Sequence, residues 1–231
     1  MRILIVAATD AEISPIVARL SRGPAPEVDG ARTPQPDGAR AFQASGRSAN
    51  DIDIVTTGIG MVATAARTAR ALAQARYDLA LNVGVCGSFD RALGLGRVVH
   101  VISDRIAELG AEDDDAFLTI DQLQLPGEPV FVNASPPDNE VLRSLPAVCA
   151  ITVNTVHGSE RSIAAVVRRF APQVESMEGA AFMHACLISG VPFAQVRAVS
   201  NVVEKRNREA WNLGEAIGNL GRSAIAILEQ L

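Results

Sequence analysis

Residues 174–186 read VESMEGAAFMHAC. Val174, Ser176 and the residues before them read as the end of a strand. Gly179, Ala180 and Ala181 then open an apolar helix that runs through Phe182, Met183, Cys186 and Leu187. Glu178 falls at the turn between strand and helix. A carboxylate at that junction is favoured by the helix dipole, and in open α/β sheets such turns are where ligands bind. A carboxylate accepts two hydroxyl hydrogen bonds at once, which suits a cis-diol such as ribose. The same spacing also suits a Glu178 that merely caps the helix.

Outward from this stretch, buried strands alternate with helices. Ile3–Ala8 is a continuous apolar run, as expected of a strand buried on both faces. Asp10 is expected to cap a helix through Glu12, Ile13, Ile16, Val17 and Leu20, which puts Glu12 in the first turn after the strand. Ser21–Arg40, rich in Pro, Gly and Ala, reads as a long loop. Asp51–Thr57 is a strand, followed by Gly58-Ile59-Gly60 and a helix over Val62–Ala75. A glycine turn between strand and helix can cradle an anion or a sugar. No Walker lysine follows it, and Asp78 lies where it could not reach a ribose. Leu79–Val85 is the next strand and ends in Asn82-Val83-Gly84-Val85-Cys86-Gly87-Ser88, where glycines permit close backbone approach.

Further along, Arg97–Ile102, a short stretch around Val130–Val132, Ala150–Val156 and Pro192–Val199 read as strands. Asp138–Leu145, Arg161–Phe170 after Ser159, and Leu213–Leu231 read as helices. The acidic run Glu108–Asp115 and the charged run Glu204–Glu209 read as solvated surface loops on composition alone. The polar groups at strand ends are Glu12, Gly58–Gly60, Asn82–Ser88, Glu178 and Asn201. Convergence of these at one rim of the sheet would make a single site.

Composition bounds the function. The chain has 231 residues, 48% of them hydrophobic, enough for one α/β domain over 1–231 with a sizeable core. A net charge of −5 argues against nucleic acid or an anionic membrane as a partner. Cys86, Cys149 and Cys186 are odd in number and far apart, which fits a reduced, cytoplasmic protein. His100, His157 and His184 have no metal-ligand spacing. No apolar run reaches transmembrane length, and the N-terminus turns acidic too early for a secretory signal.

Taken in order, these landmarks resemble the nucleoside phosphorylase and nucleosidase superfamily over most of the chain. Glu12 matches the catalytic glutamate of the nucleosidases. Thr57–Gly60 matches their SGIG-type turn, and Asn82–Gly87 a glycine-containing strand end. Ser176-Met177-Glu178-Gly179-Ala180 matches the ribose motif, and Val199-Ser200-Asn201 the end of the catalytic strand. Asn201, together with ELGAEDDDAFL and RNREAWN, is similar to the futalosine hydrolase family, which removes hypoxanthine from futalosine in an alternative menaquinone pathway.

The resemblance implies an α/β fold, a three-layer α/β/α sandwich around a central mixed, twisted sheet. It implies cleavage of an N-glycosidic bond without metal or organic cofactor, on a small purine nucleoside, in a homodimer or higher homo-oligomer. Glu12 would be general base for water, and Glu178 would hold the ribose diol. Ser176, Met177 and Gly60 would line the sugar, with backbone groups of Thr155 and Val156 against the purine. Two departures bear on the reaction. Phosphorylases usually carry arginine where this chain has Asn82, which favours hydrolysis over phosphorolysis. Adenine nucleosidases have an acid where this chain has Asn201; an amide donates a hydrogen bond but not a proton, which favours a 6-oxopurine as leaving group. Arg206 and Arg208 are candidates for the benzoate carboxylate of such a substrate. The rivals are a methylthioadenosine/adenosylhomocysteine or inosine nucleosidase, a purine nucleoside phosphorylase, and a non-catalytic nucleoside-binding protein. Phe89 and Trp211 are expected either to line the site or to pack in the core.

Overall fold

The computed structural model describes residues 1–21, 42–45 and 50–231. Most of the expected loop after Ser21 lies outside them. The first strand, β1 (Arg2–Ala7), pairs in parallel with β3 (Asp51–Thr56) on one side and β4 (Leu79–Ser88) on the other. Its continuous apolar run has a simple cause: both faces are covered. Ile3, Ile5 and Ala7 pack with α1 (Asp10–Leu20) and α6 (Leu213–Glu229), while Leu4 and Val6 face α2 (Met61–Gln74) and α5 (Gly179–Ser189). Helices on two faces of a mixed sheet give the expected three layers.

The main sheet has nine strands among the described residues, with β2 (Phe42–Ser45) at one edge beside β3. Beyond β4 come β11 (Phe193–Val202), β5 (Val98–Ile106), β9 (Ala147–Thr152) and β10 (Val174–Ser176); β8 (Phe131–Val132) pairs with β5. β10 pairs not only with β9 but also antiparallel with β4, through Val174 with Ser88 and Glu175 with Gly87. The sheet therefore curls back on itself into a partly closed barrel. Gly87 ends up between two partners, Glu175 on β10 and Asn201 on β11. A bulge between Val199 and Asn201 shifts the register of β11 just before that point.

Several boundaries differ from the sequence expectation. The acidic run is not simply a loop: Gly110–Asp113 and Ala116–Thr119 form the hairpin β6–β7, and Asp114 at its tip has φ +52°. β9 stops at Thr152, so residues 153–159 form the loop that leads to Ser159, the N-cap of α4 (Glu160–Phe170). Thr9, not Asp10, caps α1: its side chain accepts from Glu12 N, and the Glu12 side chain accepts from Thr9 N, a reciprocal capping box.

Candidate active site

The capping box fixes one face of Glu12. Its Oε2 accepts from Thr9 N and Thr9 Oγ1, both at 2.9 Å. Its Oε1 accepts from Val85 N at 3.1 Å, in the middle of β4. The side chain is thereby carried from the start of α1 onto the neighbouring strand, and the residue is 5% exposed.

Glu178 arrives from the other side. It occupies the N-cap position of α5 but makes no side-chain cap bond. That task falls to neighbours: Ser176 Oγ accepts from Gly179 N (3.3 Å) and Thr152 Oγ1 from Ala180 N (2.8 Å). The reading of Glu178 as a mere cap is thus wrong. Its Oε1 accepts from Gly60 N (3.1 Å) across the gap to the glycine turn, and its Oε2 lies 3.6 Å from Arg197 Nη1. Gly60 has φ +99°, a conformation for which glycine is suited and other residues are strained.

Arg197 joins the two acids. It lies on β11 in register with Gly84 and is 1% exposed. A Cβ on Gly84 would overlap Arg197 Nη1 and stand 3.0 Å from Glu12 Oε1, so the guanidinium and the Glu12 carboxylate border one small space. Asn82 orients the arginine: its Oδ1 accepts from Arg197 Nη2 (2.5 Å), and its Nδ2 donates to the Val6 carbonyl (2.9 Å). Among the described residues Arg197 Nε and Nη1 make no hydrogen bond, although both are buried and Nη1 is ion-paired with Glu178. A buried charged donor without a hydrogen bond is costly; Nη1, beside both carboxylates, is placed to bind a water or hydroxyl. Arg197 had one signal in the sequence, a charged residue inside the apolar run FAQVRAVS. Its meaning depends on the strand register that sets it against Gly84.

Beneath the N-terminus of α5 lies a further buried acid. Asp104 is fully buried; Thr152 Oγ1 and Gln195 Nε2 donate to it at 2.9 and 3.1 Å. Burial pushes its carboxyl up to about 6, against the lowering effect of these two bonds and of Arg197. A Cβ on Gly179 would overlap Asp104 Oδ2 and Gln195 Nε2, which explains glycine as the first residue of the helix.

The remaining expected residues are placed as follows. Asn201 is half-buried at the end of β11. Its Oδ1 lies 2.9 Å from Ser200 Oγ, and its Nδ2 donates to the Val202 carbonyl (3.1 Å), which leaves a second N–H. Met177 is half-buried between Ser176 and Glu178. Thr155 is exposed, and its N–H is committed to Glu108 Oε1 (3.3 Å), whereas Val156 packs on the apolar cluster of Ile151, Val153 and Val166. Phe89 packs on the same cluster. Arg206 and Arg208 are exposed and stand over Trp211, at 5.4 and 5.9 Å from its ring centroid. Neither enters the carboxylate–Arg197 cluster.

The fold and the length of the chain match known proteins. The model of the phosphorylase superfamily matches residues 2–231, and the chain belongs to that superfamily. Within it, the chain is 34% identical over 180 residues to futalosine hydrolase of Thermus thermophilus, covering 75% of this chain and 80% of that one. Identity to futalosine hydrolase of Streptomyces coelicolor is also 34%, over 181 residues, covering 73% of this chain and 74% of the relative. Among solved structures, native futalosine hydrolase of Helicobacter pylori superposes with a TM-score of 0.84 at 18% identity, covering 100% of this chain and 98% of that one, which supports the fold.

Proposed function

We propose that this protein hydrolyses the N-glycosidic bond of futalosine and releases hypoxanthine, as a cytoplasmic step of an alternative menaquinone pathway. The observation that carries the reading is the convergence of Glu12 and Glu178 on the partly unpaired guanidinium of Arg197. The relatives at 34% identity supply the substrate.

In this reading a water sits between Glu12 Oε1 and Arg197 Nη1. As the bond between C1′ and the purine nitrogen lengthens, the sugar gains positive charge and the base keeps the electron pair. Glu178 binds the 2′- and 3′-hydroxyls and favours the cationic sugar electrostatically. The water oxygen bonds to C1′ while Glu12 takes its proton. Asn201 donates its second N–H to N7 or O6 of the departing oxopurine, which leaves as an anion with its charge spread over N7 and O6 and then takes a proton from solvent, while the proton held by Glu12 returns to solvent. No metal or organic cofactor enters any step. The two acids flanking Arg197 also speak against phosphorolysis, because a phosphate dianion there would meet two carboxylates.

For the benzoate end of the substrate, Arg206 and Arg208 remain the candidates, since both present guanidinium groups beside an aromatic face. The reading includes a homo-oligomer. Ile59 and Val62, on either side of Gly60, are 63% and 84% exposed, apolar surface that a second copy would cover.

The test is incubation of purified protein with futalosine, with and without inorganic phosphate, followed by chromatography of the products. Hypoxanthine at a phosphate-independent rate is expected. A phosphate-dependent rate with a sugar 1-phosphate product would make it a phosphorylase, and no release would remove the activity.

A further inference from the structure

Three neighbouring strands each send one polar side chain under the start of α5: Asp104 from β5, Thr152 from β9 and Gln195 from β11. All three are 0% exposed. Thr152 Oγ1 donates to Asp104 Oδ1 (2.9 Å), and Gln195 Nε2 donates to Asp104 Oδ2 (3.1 Å). The chemistry described above uses none of them. Thr152 links the group to the helix, because its Oγ1 accepts from Ala180 N at 2.8 Å.

Chemistry fixes the direction of each bond. A hydroxyl has one proton to give. Burial raises the Asp104 carboxyl to about 6, so at neutral pH it is ionised and only accepts. The Thr152 proton therefore goes to Asp104, and a lone pair of its oxygen is left facing Ala180 N–H. Gln195 holds the second carboxylate oxygen, so the acid is fixed at both ends. Bonds chained in this way polarise one another. Gly179 lets the helix backbone come down onto the group, since a Cβ there would overlap Asp104 Oδ2.

The group explains why Glu178 is free. A residue at the N-cap ordinarily turns its side chain back onto the second or third N–H of its own helix. In α5 those positions are Ala180 and Ala181, and Ala180 N–H is already taken by Thr152. Ser176 Oγ takes the N–H of Gly179 (3.3 Å). Glu178 instead reaches outward, to Gly60 N (3.1 Å) and towards Arg197 Nη1 (3.6 Å). Loss of the Thr152 hydroxyl would leave a buried N–H in the first turn. The side chain that ordinarily satisfies such an N–H is the one at the N-cap, here Glu178.

We propose that Thr152 is a positioning residue for Glu178: its hydroxyl, oriented by Asp104, caps α5 in place of the N-cap side chain and so keeps the Glu178 carboxylate at Gly60, open to a ligand diol. The sugar-binding role of Glu178 rests on the nucleosidase reading above; the exchange of caps does not.

The experiment compares wild type with Thr152→Val, which keeps the shape and loses the hydroxyl, and Thr152→Ser, which keeps the hydroxyl. Each is assayed on futalosine and its 2′-deoxy counterpart, alone and combined with Glu178→Gln. The difference in intrinsic reactivity between the two nucleosides cancels when proteins are compared. The ratio of kcat/KM, ribose over deoxyribose, should fall about 10-fold in Thr152→Val, the scale of one hydrogen bond to a charged group. It should recover in Thr152→Ser. In the Glu178→Gln background Thr152→Val should leave the ratio unchanged. An equal loss on both nucleosides, or the same fall in the ratio without Glu178, means that Thr152 only stabilises the helix, and overturns the proposal. Amide exchange followed by NMR gives a reading without substrate. In wild type Ala180 N–H, although in the first turn, should exchange as slowly as the helix interior. Gly60 N–H, measured against the amides of β1, should exchange faster in Thr152→Val than in wild type. Free exchange at Ala180 in wild type overturns the proposal even if the valine variant does not fold, and unchanged protection at Gly60 overturns it where the variant folds. If wild type cleaves neither nucleoside, the proposed reaction fails, and the exchange rates still decide the cap separately.

Discussion

Arg197 Nη1 stands 3.6 Å from Glu178 Oε2, while the same guanidinium donates through Nη2 to Asn82. Asn82 is therefore more than a neutral amide at a strand end. It is the anchor of an arginine supplied by the adjacent strand. The cationic group reaches the site from β11, and its free donor faces two acids. A site of this kind carries net negative charge, which complements a sugar that becomes cationic in the transition state.

Gly84→Ala tests that arrangement with one methyl group. The new Cβ would overlap Arg197 Nη1 and come within 3.0 Å of Glu12 Oε1, and both belong to buried side chains with little room to retreat. Overpacking of this sort costs about 1–3 kcal/mol. Thermal melts should show that loss, and turnover should fall by about 100-fold because the guanidinium and the general base are displaced together. An alanine variant with wild-type turnover would show that Arg197 is not held where the reaction needs it.

Glu12→Gln separates chemistry from binding. The amide keeps the volume, and its oxygen can still accept from one of the donors, Val85 N or the Thr9 groups. It cannot take a proton from water. Turnover should drop by about 10²–10⁴-fold, while calorimetry should still find substrate bound within a few-fold of wild-type affinity. Unchanged turnover would remove Glu12 from the mechanism.

Much of this was legible in the sequence because single strands and turns announce themselves. The apolar run of β1, the glycine turn at Gly58–Gly60 and the strand-to-helix junction at Glu178 each follow from local patterning, and five such landmarks in order point to the superfamily. The relations between strands were not legible. Arg197 looks like an interruption of an apolar strand until register sets it against Gly84, and Glu175 looks like a flank of the ribose motif until β10 closes onto β4. Thr9 and Asp10 are both good N-caps by residue type, and only the reciprocal bond with Glu12 distinguishes them. The hairpin in the acidic run was hidden because charge patterning outweighed its short alternation.

Asp104 gives the protein a pH signature. Burial raises its carboxyl from 3.8 in the unfolded chain to about 6 in the fold. The folded state therefore binds this proton more tightly, so the contribution is fully present below about pH 4 and is lost as pH rises through about 6. The difference amounts to at most about 3 kcal/mol. Asp104→Asn removes the titration, and Gln195, whose Oε1 has no partner among the described residues, can turn its amide to accept from the new side chain. Urea denaturation at several pH values between 4 and 7 should show the variant gaining on wild type as pH rises. Parallel curves would mean that Asp104 does not titrate in this window.

Asn201→Asp addresses the leaving group. In the native site the amide donates to the Val202 carbonyl and keeps a second N–H for the base. An ionised aspartate would set an oxygen against that carbonyl and offer the departing oxopurine no donor at all, so release of hypoxanthine should fall by about tenfold or more. A protonated aspartic acid, by contrast, can give a full proton to N7, which adenine needs in order to leave and hypoxanthine does not. Activity on the adenine counterpart of the substrate should therefore rise relative to futalosine, most clearly at the acidic end of the usable pH range. Product chromatography on both nucleosides, with kcat and KM determined separately, measures the ratio. A ratio equal to that of wild type would show that the residue at 201 does not choose the base.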